Sequence, residues 1–374
     1  MKHFRKFFTL ILALALTVSV LGGCTSRTTV EKPEETEEAV PTAAPTPTPT
    51  PTPAAETEEP EPTPLPYTNP LTGEGLEEPV TTRVWAVMIN DYYGALPQCG
   101  VSEADIIYET LAEGGITRMM AIFTDIRAAE TLGSIRSIRD YYVSIGMAYD
   151  AVTVHAGYSP AAQTMLAQYD IDNIDGVGGS FPEINPFYRD SSRGAYGSEH
   201  TLFTTGEDLW DCAESYGYEL EADEDADYGL HFTEDGTPDG EDAGYVCVTF
   251  TSKTTSFVYD EETQLYGGYQ YGSEYTDANT GDQLQFTNLL VLSASISVVD
   301  SVGRVDVGLI GSGSGWFVCG GKYVEITWER ESLYDNFHYY LTDGSELELG
   351  VGKTYIGIIP TSGGSVEFDA EYTE

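Results

Sequence analysis

The segment from residue 25 to residue 66 most restricts what this chain can fold into. It consists mostly of proline, threonine, alanine and glutamate, with the run Pro-Thr-Pro-Thr-Pro-Thr-Pro at residues 45–51. This composition lacks the apolar side chains that a core requires, so it predicts a disordered, solvated tether. Folding is therefore limited to the roughly 300 residues that follow, which is enough chain for two domains.

An export signal precedes this tether. The chain begins with a basic stretch, continues with an apolar run over residues 7–20, and reaches Cys24 directly after Leu-Gly-Gly. This order predicts a lipoprotein signal peptide over residues 1–23 and a lipid-modified Cys24 at the start of a tether spanning 24–66. The apolar run is shorter than the ~20 residues of a spanning helix. We expect attachment to the cell membrane through an acyl group on Cys24, on the extracytoplasmic side.

The charge of the chain limits its partners. Seventeen basic and 61 acidic residues give a formal net charge of −44, which argues against nucleic acid or anionic lipid surfaces as partners. Between residues 67 and 244 there is no lysine, and all of the strongly basic side chains are arginines. Arginine binds a carboxylate or phosphate through two parallel hydrogen bonds, so we consider an anionic ligand for this part of the chain.

The sequence pattern divides the rest of the chain into three parts. Residues 67–222 alternate between apolar strand-like runs and helical patterns, residues 223–243 form an acidic connector, and residues 244–374 contain strand after strand. This order predicts an α+β protein. Its N-terminal domain layers sheet and helix, with a three-layer ββα arrangement as one possibility. A smaller, mainly antiparallel β domain follows.

Local signals predict three helices and one hairpin. Ser134 is a candidate cap for a helix that ends near Ala148, a second helix begins at Ser159-Pro160, and a third covers residues 207–216. Gly320-Gly321 is typical of a tight two-residue turn between two strands.

Polar residues at the ends of these elements form the candidate ligand site. The stretches 109–118, 133–142 and 155–160 are rich in arginine, serine, glutamate and histidine. If Ser134 caps a helix, Arg136 and Arg139 share one face of its first turns, beside backbone N–H groups that attract anions. We therefore predict ligand-binding roles for seven side chains: Arg118, Arg136, Ser137, Arg139, His155, Ser159 and His200.

Structural pairing is the alternative explanation for these charges. Arg136 and Asp140 have the i,i+4 spacing of a helix ion pair, and Arg118 has Glu109 and Glu113 as candidate partners. On that reading the arginines hold the fold together and bind no ligand.

A catalytic role is a second functional hypothesis. His155 is a candidate general base with Glu113 or Glu109 as its partner, which would make the protein a hydrolase or transferase acting on cell-wall polymers. We prefer a non-enzymatic binding or scaffold protein with an arginine-lined cleft for an anionic or carbohydrate ligand. The sequence shows no cofactor fingerprint and no Cys/His cluster for zinc, and its acidic runs lack the glycine and glutamate of a calcium loop.

Tyrosine and cysteine suggest two further properties. Several of the 26 tyrosines fall between Tyr259 and Tyr275, where they would offer an aromatic edge to a cell-wall glycan or another envelope protein. The cysteines outside the signal region, Cys99, Cys212, Cys247 and Cys319, are even in number but far apart. We expect buried thiols in preference to disulfides.

Several motifs together resemble the YerB-type lipoprotein family, a group described by a two-part domain of unknown function. The matching stretches are Asn69-Pro-Leu-Thr-Gly73, Ala104-Asp-Ile-Ile-Tyr-Glu109, Glu113-Gly-Gly-Ile-Thr-Arg118, Gly133-Ser-Ile-Arg-Ser-Ile-Arg139, His155-Ala-Gly157 and Gly321-Lys-Tyr-Val-Glu-Ile-Thr-Trp328. The resemblance implies an extracytoplasmic lipoprotein with an N-terminal sheet-and-helix domain and a smaller C-terminal domain, and it brings no established reaction. The chain departs from the family pattern at Asn90-Asp91, Gly268 and Tyr275.

Overall fold

The computed structural model describes residues 64–223 and 226–371. The predicted signal peptide over 1–23, the predicted lipidation site Cys24 and almost all of the predicted tether over 24–66 lie outside the described residues. Within the described ranges, no helix is long and apolar enough to cross a membrane.

The N-terminal half contains the α-helices and short strands. The helices are α1 (Asp140–Ala148), α2 (Pro160–Gln168) and α3 (Gly206–Tyr216). The strands are β1 (Tyr67–Thr68), β2 (Gly75–Leu76), β3 (Trp85–Ile89), β4 (Ile106–Leu111), β5 (Thr117–Phe123), β6 (Leu132–Gly133), β7 (Val152–His155), β8 (Asn173–Asp175), β9 (Tyr188–Arg189) and β10 (Leu202–Thr204).

The C-terminal half consists of strands over its described residues. They are β11 (His231–Thr233), β12 (Glu241–Asp242), β13 (Tyr245–Thr249), β14 (Thr254–Asp260), β15 (Leu265–Gln270), β16 (Ser273–Glu274), β17 (Gln285–Phe286), β18 (Asn288–Ala294), β19 (Ile296–Val298), β20 (Val305–Val307), β21 (Gly311–Cys319), β22 (Lys322–Arg330), β23 (His338–Leu341), β24 (Glu348–Gly350), β25 (Thr354–Pro360) and β26 (Ser365–Asp369).

One large mixed sheet runs through both halves. Its strand order is β12-β22-β21-β18-β25-β4-β5-β3-β7-β8, and β23 pairs with β22 on the same edge as β12. The late strand β25 lies between β18 and β4 and is parallel to both. Strands β3, β4 and β5 are buried along their whole length, because the sheet is covered on both faces. The domain limits at 67–222, 223–243 and 244–374 remain predictions.

The molecule has three layers. Side chains on one face of the large sheet, such as Met88 and Ile122, pack with α1 and α2 in one apolar core. Side chains on the other face, such as Val87 and Ala121, pack with α3 and with a second, antiparallel sheet of order β16-β15-β14-β13-β26. The predicted α+β class with layered sheet and helix is confirmed.

The first helix begins later than predicted. The capping pattern places its start at Ser134, whereas α1 begins at Asp140 with Arg139 as its N-cap residue. The residues between β6 and α1 are extended, and Ile135 pairs with the end of β3. Arg136 and Arg139 therefore do not share a helix face, and the i,i+4 ion pair of Arg136 with Asp140 does not form in the described chain.

The other local predictions agree with the structure. Helix α2 begins at Pro160 directly after Ser159, and α3 spans Gly206–Tyr216. The Gly320-Gly321 turn joins β21 to β22, with φ values of 57° and 76°, which is the left-handed conformation that glycine adopts without strain. The thiols outside the signal region are free: Cys99, Cys212, Cys247 and Cys319.

Candidate functional site

Polar side chains from several elements meet at one end of the central sheet. Asn90 and Asp91 follow β3, while Arg118 lies at the start of β5, which is antiparallel to β3. His155 ends β7, which is parallel to β3. The turn between β4 and β5 brings Glu113 to the same end. Ligands of open sheets with parallel strands bind beyond the carboxyl ends of those strands, so this end is the candidate site.

The extended segment between β6 and α1 crosses this end of the sheet. The backbone N–H of Arg136 donates to the carbonyl of Met88 at 2.9 Å, and the carbonyl of Arg136 accepts from the N–H of Ala156, also at 2.9 Å. Hydrogen bonds to β3 on one side and to the end of β7 on the other hold the segment as an added strand. This pairing explains why the segment is not helical.

Three guanidinium groups gather on this segment and the adjoining β5. We call Arg118, Arg136 and Arg139 the arginine cluster. Nη2 of Arg118 lies 3.4 Å from Oε2 of Glu113, and Nε of Arg139 donates to Oε1 of the same carboxylate. Nη1 of Arg118 also donates to the carbonyl of Ser137 at 2.8 Å. The predicted structural pairing of Arg118 with Glu113 is thus present, but one carboxylate serves two arginines.

Arg136 is the member of the arginine cluster that has no hydrogen-bond acceptor within the described part of the chain. Among the described residues its side chain makes no hydrogen bond or ion pair, and its Nε is buried. Burial lowers the pKa of Arg136, Arg139 acts in the same direction, and Glu199 opposes them. Burial together with Arg139 also lowers the pKa of Arg118, to about 10. The three guanidinium groups thus have a single ion-paired carboxylate among them, that of Glu113, within the described residues.

Two of the predicted ligand residues have local structural partners. The hydroxyl of Ser137 donates to the carbonyl of Ala156 at 2.7 Å. Oγ of Ser159 accepts from the N–H of Ala162 at 3.1 Å, as the N-cap of α2. Because caps satisfy backbone donors at the start of a helix, the structure gives Ser159 a stabilising role.

His200 lies beside the cluster. It is buried, and the amide nitrogen of Asn90 is 2.7 Å from its Nδ1. Burial lowers the pKa of His200; Glu199 opposes this effect and Arg136 adds to it. The electrostatic effect of Arg136 places this imidazole close to the arginine cluster.

The proposed pairing of His155 with Glu113 is not present. His155 is 0% exposed, its Nδ1 donates to the carbonyl of Gly157 at 3.0 Å, and its Nε2 lies 3.2 Å from Oδ1 of Asn173. The nearest carboxylate oxygen belongs to Asp175, 3.7 Å from Nδ1. A general base must reach its substrate, so this geometry gives no support to catalysis by His155.

A second charged group, which was not predicted from the sequence, lies at the same end of the sheet. We call Asp91, Glu109 and Lys253 the carboxylate–lysine cluster. Nζ of Lys253 donates to Oδ2 of Asp91 and to Oε1 of Glu109, each at 2.5 Å. Oε2 of Glu109 accepts from Tyr355 (2.7 Å) and Thr255 (2.9 Å). Glu109, proposed above as a partner of His155 or Arg118, is therefore a partner of Lys253.

Two buried carboxylates share one ammonium group here. Burial, and then the charge of Glu109, raises the pKa of Asp91 to about 7. Lys253 and the hydrogen bonds around Glu109 outweigh burial and lower the pKa of Glu109. The sequence signal for this cluster was Lys253 in the stretch Thr251-Ser252-Lys253. It did not predict the cluster, because the carboxylate partners of Lys253 are distant in the sequence.

The tyrosines of the C-terminal half do not form one exposed edge. Tyr266 and Tyr275 are buried, and of the tyrosines predicted over 259–275 only Tyr271 is exposed by more than a third of its surface. Its ring contacts Tyr93 of the N-terminal half, with centroids 6.1 Å apart. Tyr93 in turn contacts Tyr196 at 5.2 Å. The exposed aromatic group thus combines tyrosines from both halves.

Comparisons with known proteins agree with the family resemblance. The family models described as "Protein of unknown function (DUF3048) N-terminal domain" and "Protein of unknown function (DUF3048) C-terminal domain" match residues 71–219 and 246–356. "Putative lipoprotein YerB" of Bacillus subtilis (strain 168) is 33% identical over 295 residues, which cover 78% of this chain and 86% of that protein. The crystal structure of the YerB protein from Bacillus subtilis has a TM-score of 0.70 at 30% identity, covering 80% of this chain and 99% of that chain.

Proposed function

The chain belongs to the DUF3048 family. We propose that it is a lipid-anchored, extracytoplasmic envelope protein and that it binds an anionic ligand at the arginine cluster. The anchor is the acyl group expected on Cys24. Two observations support it: the signal-like sequence that ends at Leu-Gly-Gly, and the lipoprotein description of the Bacillus subtilis relative. The binding role rests on the site alone.

The observation that carries the binding role is the Arg136 guanidinium. Its side chain has no hydrogen-bond partner among the described residues, whereas Arg118 and Arg139 share Glu113. A partly buried guanidinium without an acceptor is unfavourable, and an oxyanion supplies the missing acceptors through paired hydrogen bonds. Phosphate and carboxylate groups are the anions whose geometry fits this fork.

The charges around the arginine cluster determine which anionic ligands can reach it. The chain as a whole carries −44, which repels anions at long range, but the three arginines stand close together with one ion-paired carboxylate in the described chain. Repulsion from a distance and attraction at short range favour a ligand that is already held near the surface. A protein tethered next to the cell envelope meets such ligands at high local concentration.

The test is binding of inorganic phosphate to the folded protein by titration calorimetry at low ionic strength. Arg136→Gln is expected to raise the Kd at least tenfold, because a charge-assisted pair is lost. The melting temperature is expected to stay within about 2 °C, because the Arg136 side chain loses no hydrogen bond or ion pair to any residue that the structure describes.

Arg304→Gln is the matched control. Arg304 pairs with Asp300 in a partly exposed turn, so its replacement is expected to leave phosphate binding unchanged. Unchanged phosphate affinity in Arg136→Gln would contradict the proposal, and so would a large fall in its melting temperature, which would show that Arg136 is a structural residue.

A further inference from the structure

Three exposed tyrosines form one aromatic group that both halves of the chain build. We call Tyr93, Tyr196 and Tyr271 the tyrosine platform. Their exposed fractions are 45%, 58% and 43%. The Tyr93 ring meets the Tyr196 ring at 75° and the Tyr271 ring at 71°. Because these rings meet edge to face and are not stacked in parallel, much of their surface stays open to solvent.

The backbone at Tyr271 is held in a conformation that tyrosine rarely adopts. Tyr271 and Gly272 form the two-residue turn between β15 and β16, with φ values of 52° and 77°. Positive φ at both positions is the geometry of a type I′ turn, for which asparagine followed by glycine is the preferred pair. A bulky residue in this conformation is strained, and such strain occurs where a side chain has a function.

Contacts with both halves of the chain hold the Tyr271 side chain in place. Its hydroxyl donates to the backbone carbonyl of Asp91 at 2.8 Å, and Nζ of Lys253 lies 5.6 Å from its ring centroid. The ring contacts with Lys253 and Tyr93 do not depend on the hydroxyl, and nearly half of the residue stays exposed. The turn therefore exposes an aromatic ring even though the backbone at Tyr271 is strained.

The tyrosine platform is continuous with the arginine cluster. Tyr92 contacts Tyr93, with ring centroids 4.2 Å apart, and stacks on His200, with centroids 5.6 Å apart and planes at 17°. His200 lies 2.7 Å from the side-chain amide of Asn90, whose backbone N–H donates to the carbonyl of Ser134 in the segment that carries Arg136. An aromatic surface and a cationic group thus lie along one continuous path.

We propose that the tyrosine platform is a saccharide subsite, on which sugar rings of an anionic cell-envelope glycan stack while Arg136 binds its acidic group. This inference deepens the proposed function and rests on it for the anionic part only. A pyranose ring has one face of C–H groups that packs on an aromatic ring, and its hydroxyls bond the tyrosine O–H groups and nearby polar atoms. Rigid tyrosine rings supply this contact at a small entropic cost.

The chemistry of the patch favours a glycan over a protein partner. A stable protein interface needs a closed apolar centre surrounded by a polar rim. Here the three tyrosines each carry a polar hydroxyl, and Tyr92 and His200 connect them to the polar end of the sheet. Charge complementarity with the guanidinium selects a glycan that carries acidic groups.

The experiment measures binding of two neutral tetrasaccharides, one of N-acetylglucosamine and one of glucose, and separately of inorganic phosphate. Affinities come from titration calorimetry, and contact with tyrosine rings comes from saturation-transfer NMR. The variants are Tyr271→Asn, which suits the type I′ turn and removes the ring, and Tyr196→Ala, which truncates the most exposed ring. Tyr271→Phe is the matched control, since it keeps the ring and removes only the hydroxyl.

At least one tetrasaccharide is expected to bind the unaltered protein, with a Kd that rises tenfold or more in Tyr271→Asn and in Tyr196→Ala and changes less than threefold in Tyr271→Phe. Phosphate affinity is expected to be unchanged in these variants. Arg136→Gln should show the reverse pattern, so failure of the subsite and failure of the anion site are distinguishable. Absence of binding by both sugars overturns the proposal, and equal sugar affinity in Tyr271→Asn also overturns it.

Discussion

Nζ of Lys253 lies 2.5 Å from Oδ2 of Asp91, although the two residues are 162 positions apart in the sequence. Both side chains are almost fully buried, and the same ammonium group also bonds Glu109. This contact joins the turn before β14 to the end of β3, and so it connects the C-terminal half to the end of the sheet that carries the candidate site.

Removing Lys253 is expected to destabilise the fold strongly. Lys253→Met leaves two carboxylates buried without their shared cation, and losing one partner of a buried ion pair costs about 3–5 kcal/mol. Urea unfolding followed by circular dichroism measures this loss. Lys322→Met is the control, because Lys322 pairs with the exposed Asp242 and surface pairs contribute about 1 kcal/mol or less. Similar urea midpoints for the two variants would contradict the assigned role of Lys253.

Stability is expected to depend on pH through Asp91. Its pKa is raised to about 7 in the folded protein, against 3.8 ordinarily, so between these values the folded state keeps a proton that the unfolded chain releases. The contribution of Asp91 to stability is therefore complete below about pH 4 and lost as the pH rises to about 7. The stability of the unaltered protein relative to Asp91→Asn should fall over this range, by at most about 1.4 kcal/mol per pH unit.

The control for this titration is the exposed Asp343, whose pKa is lowered by hydrogen bonds from Ser345. The stability difference between the unaltered protein and Asp343→Asn should stay constant between pH 5 and pH 7. A flat profile for Asp91→Asn as well would show that Asp91 is ionised throughout.

Ser159 is expected to act through the stability of α2. Ser159→Ala removes the side-chain acceptor for the N–H of Ala162 and should cost about 1 kcal/mol, with phosphate affinity unchanged. Thr164→Ala, on the exposed side of the same helix, should change the free energy of unfolding by less than about 0.5 kcal/mol. Weaker phosphate binding by Ser159→Ala at unchanged stability would instead make Ser159 a ligand.

His155 is expected to be inaccessible to reagents in the folded protein. Diethyl pyrocarbonate modifies exposed imidazoles, so peptide mass spectrometry should find His231, whose side chain is 51% exposed, modified before His155, which is 0% exposed. Modification of both at similar rates would show that the His155 pocket opens to solvent and would revive a catalytic role.

The sequence predicted the elements whose signals are local. Ser159-Pro160 identified the start of α2, and Gly320-Gly321 identified the turn between β21 and β22, because caps and tight turns depend on neighbouring residues alone. The start of α1 was predicted wrongly for the opposite reason. The segment after Gly133 is held extended by hydrogen bonds to Met88 and Ala156, and such tertiary pairing overrides a capping signal.

The candidate site was predictable only in part. Arg118, Arg136, Arg139 and Glu113 were identified from their clustering within one short stretch of sequence. Lys253 and Tyr271 were not singled out, since their partners Asp91 and Tyr93 lie on a strand end from the other half of the chain. Contacts over such sequence separations leave no local pattern.

The central position of β25 affects the order in which the molecule can assemble. This strand fills the gap between β18 and β4, and Thr110 on β4 bonds the carbonyl of Ile358, 248 residues later. The edge of β4 therefore stays without its neighbour until a strand far along the chain has joined the sheet. Contacts over such long sequence separations slow folding and leave apolar strand edges unpaired for longer. The large sheet cannot be completed before β25 has taken its place between β18 and β4.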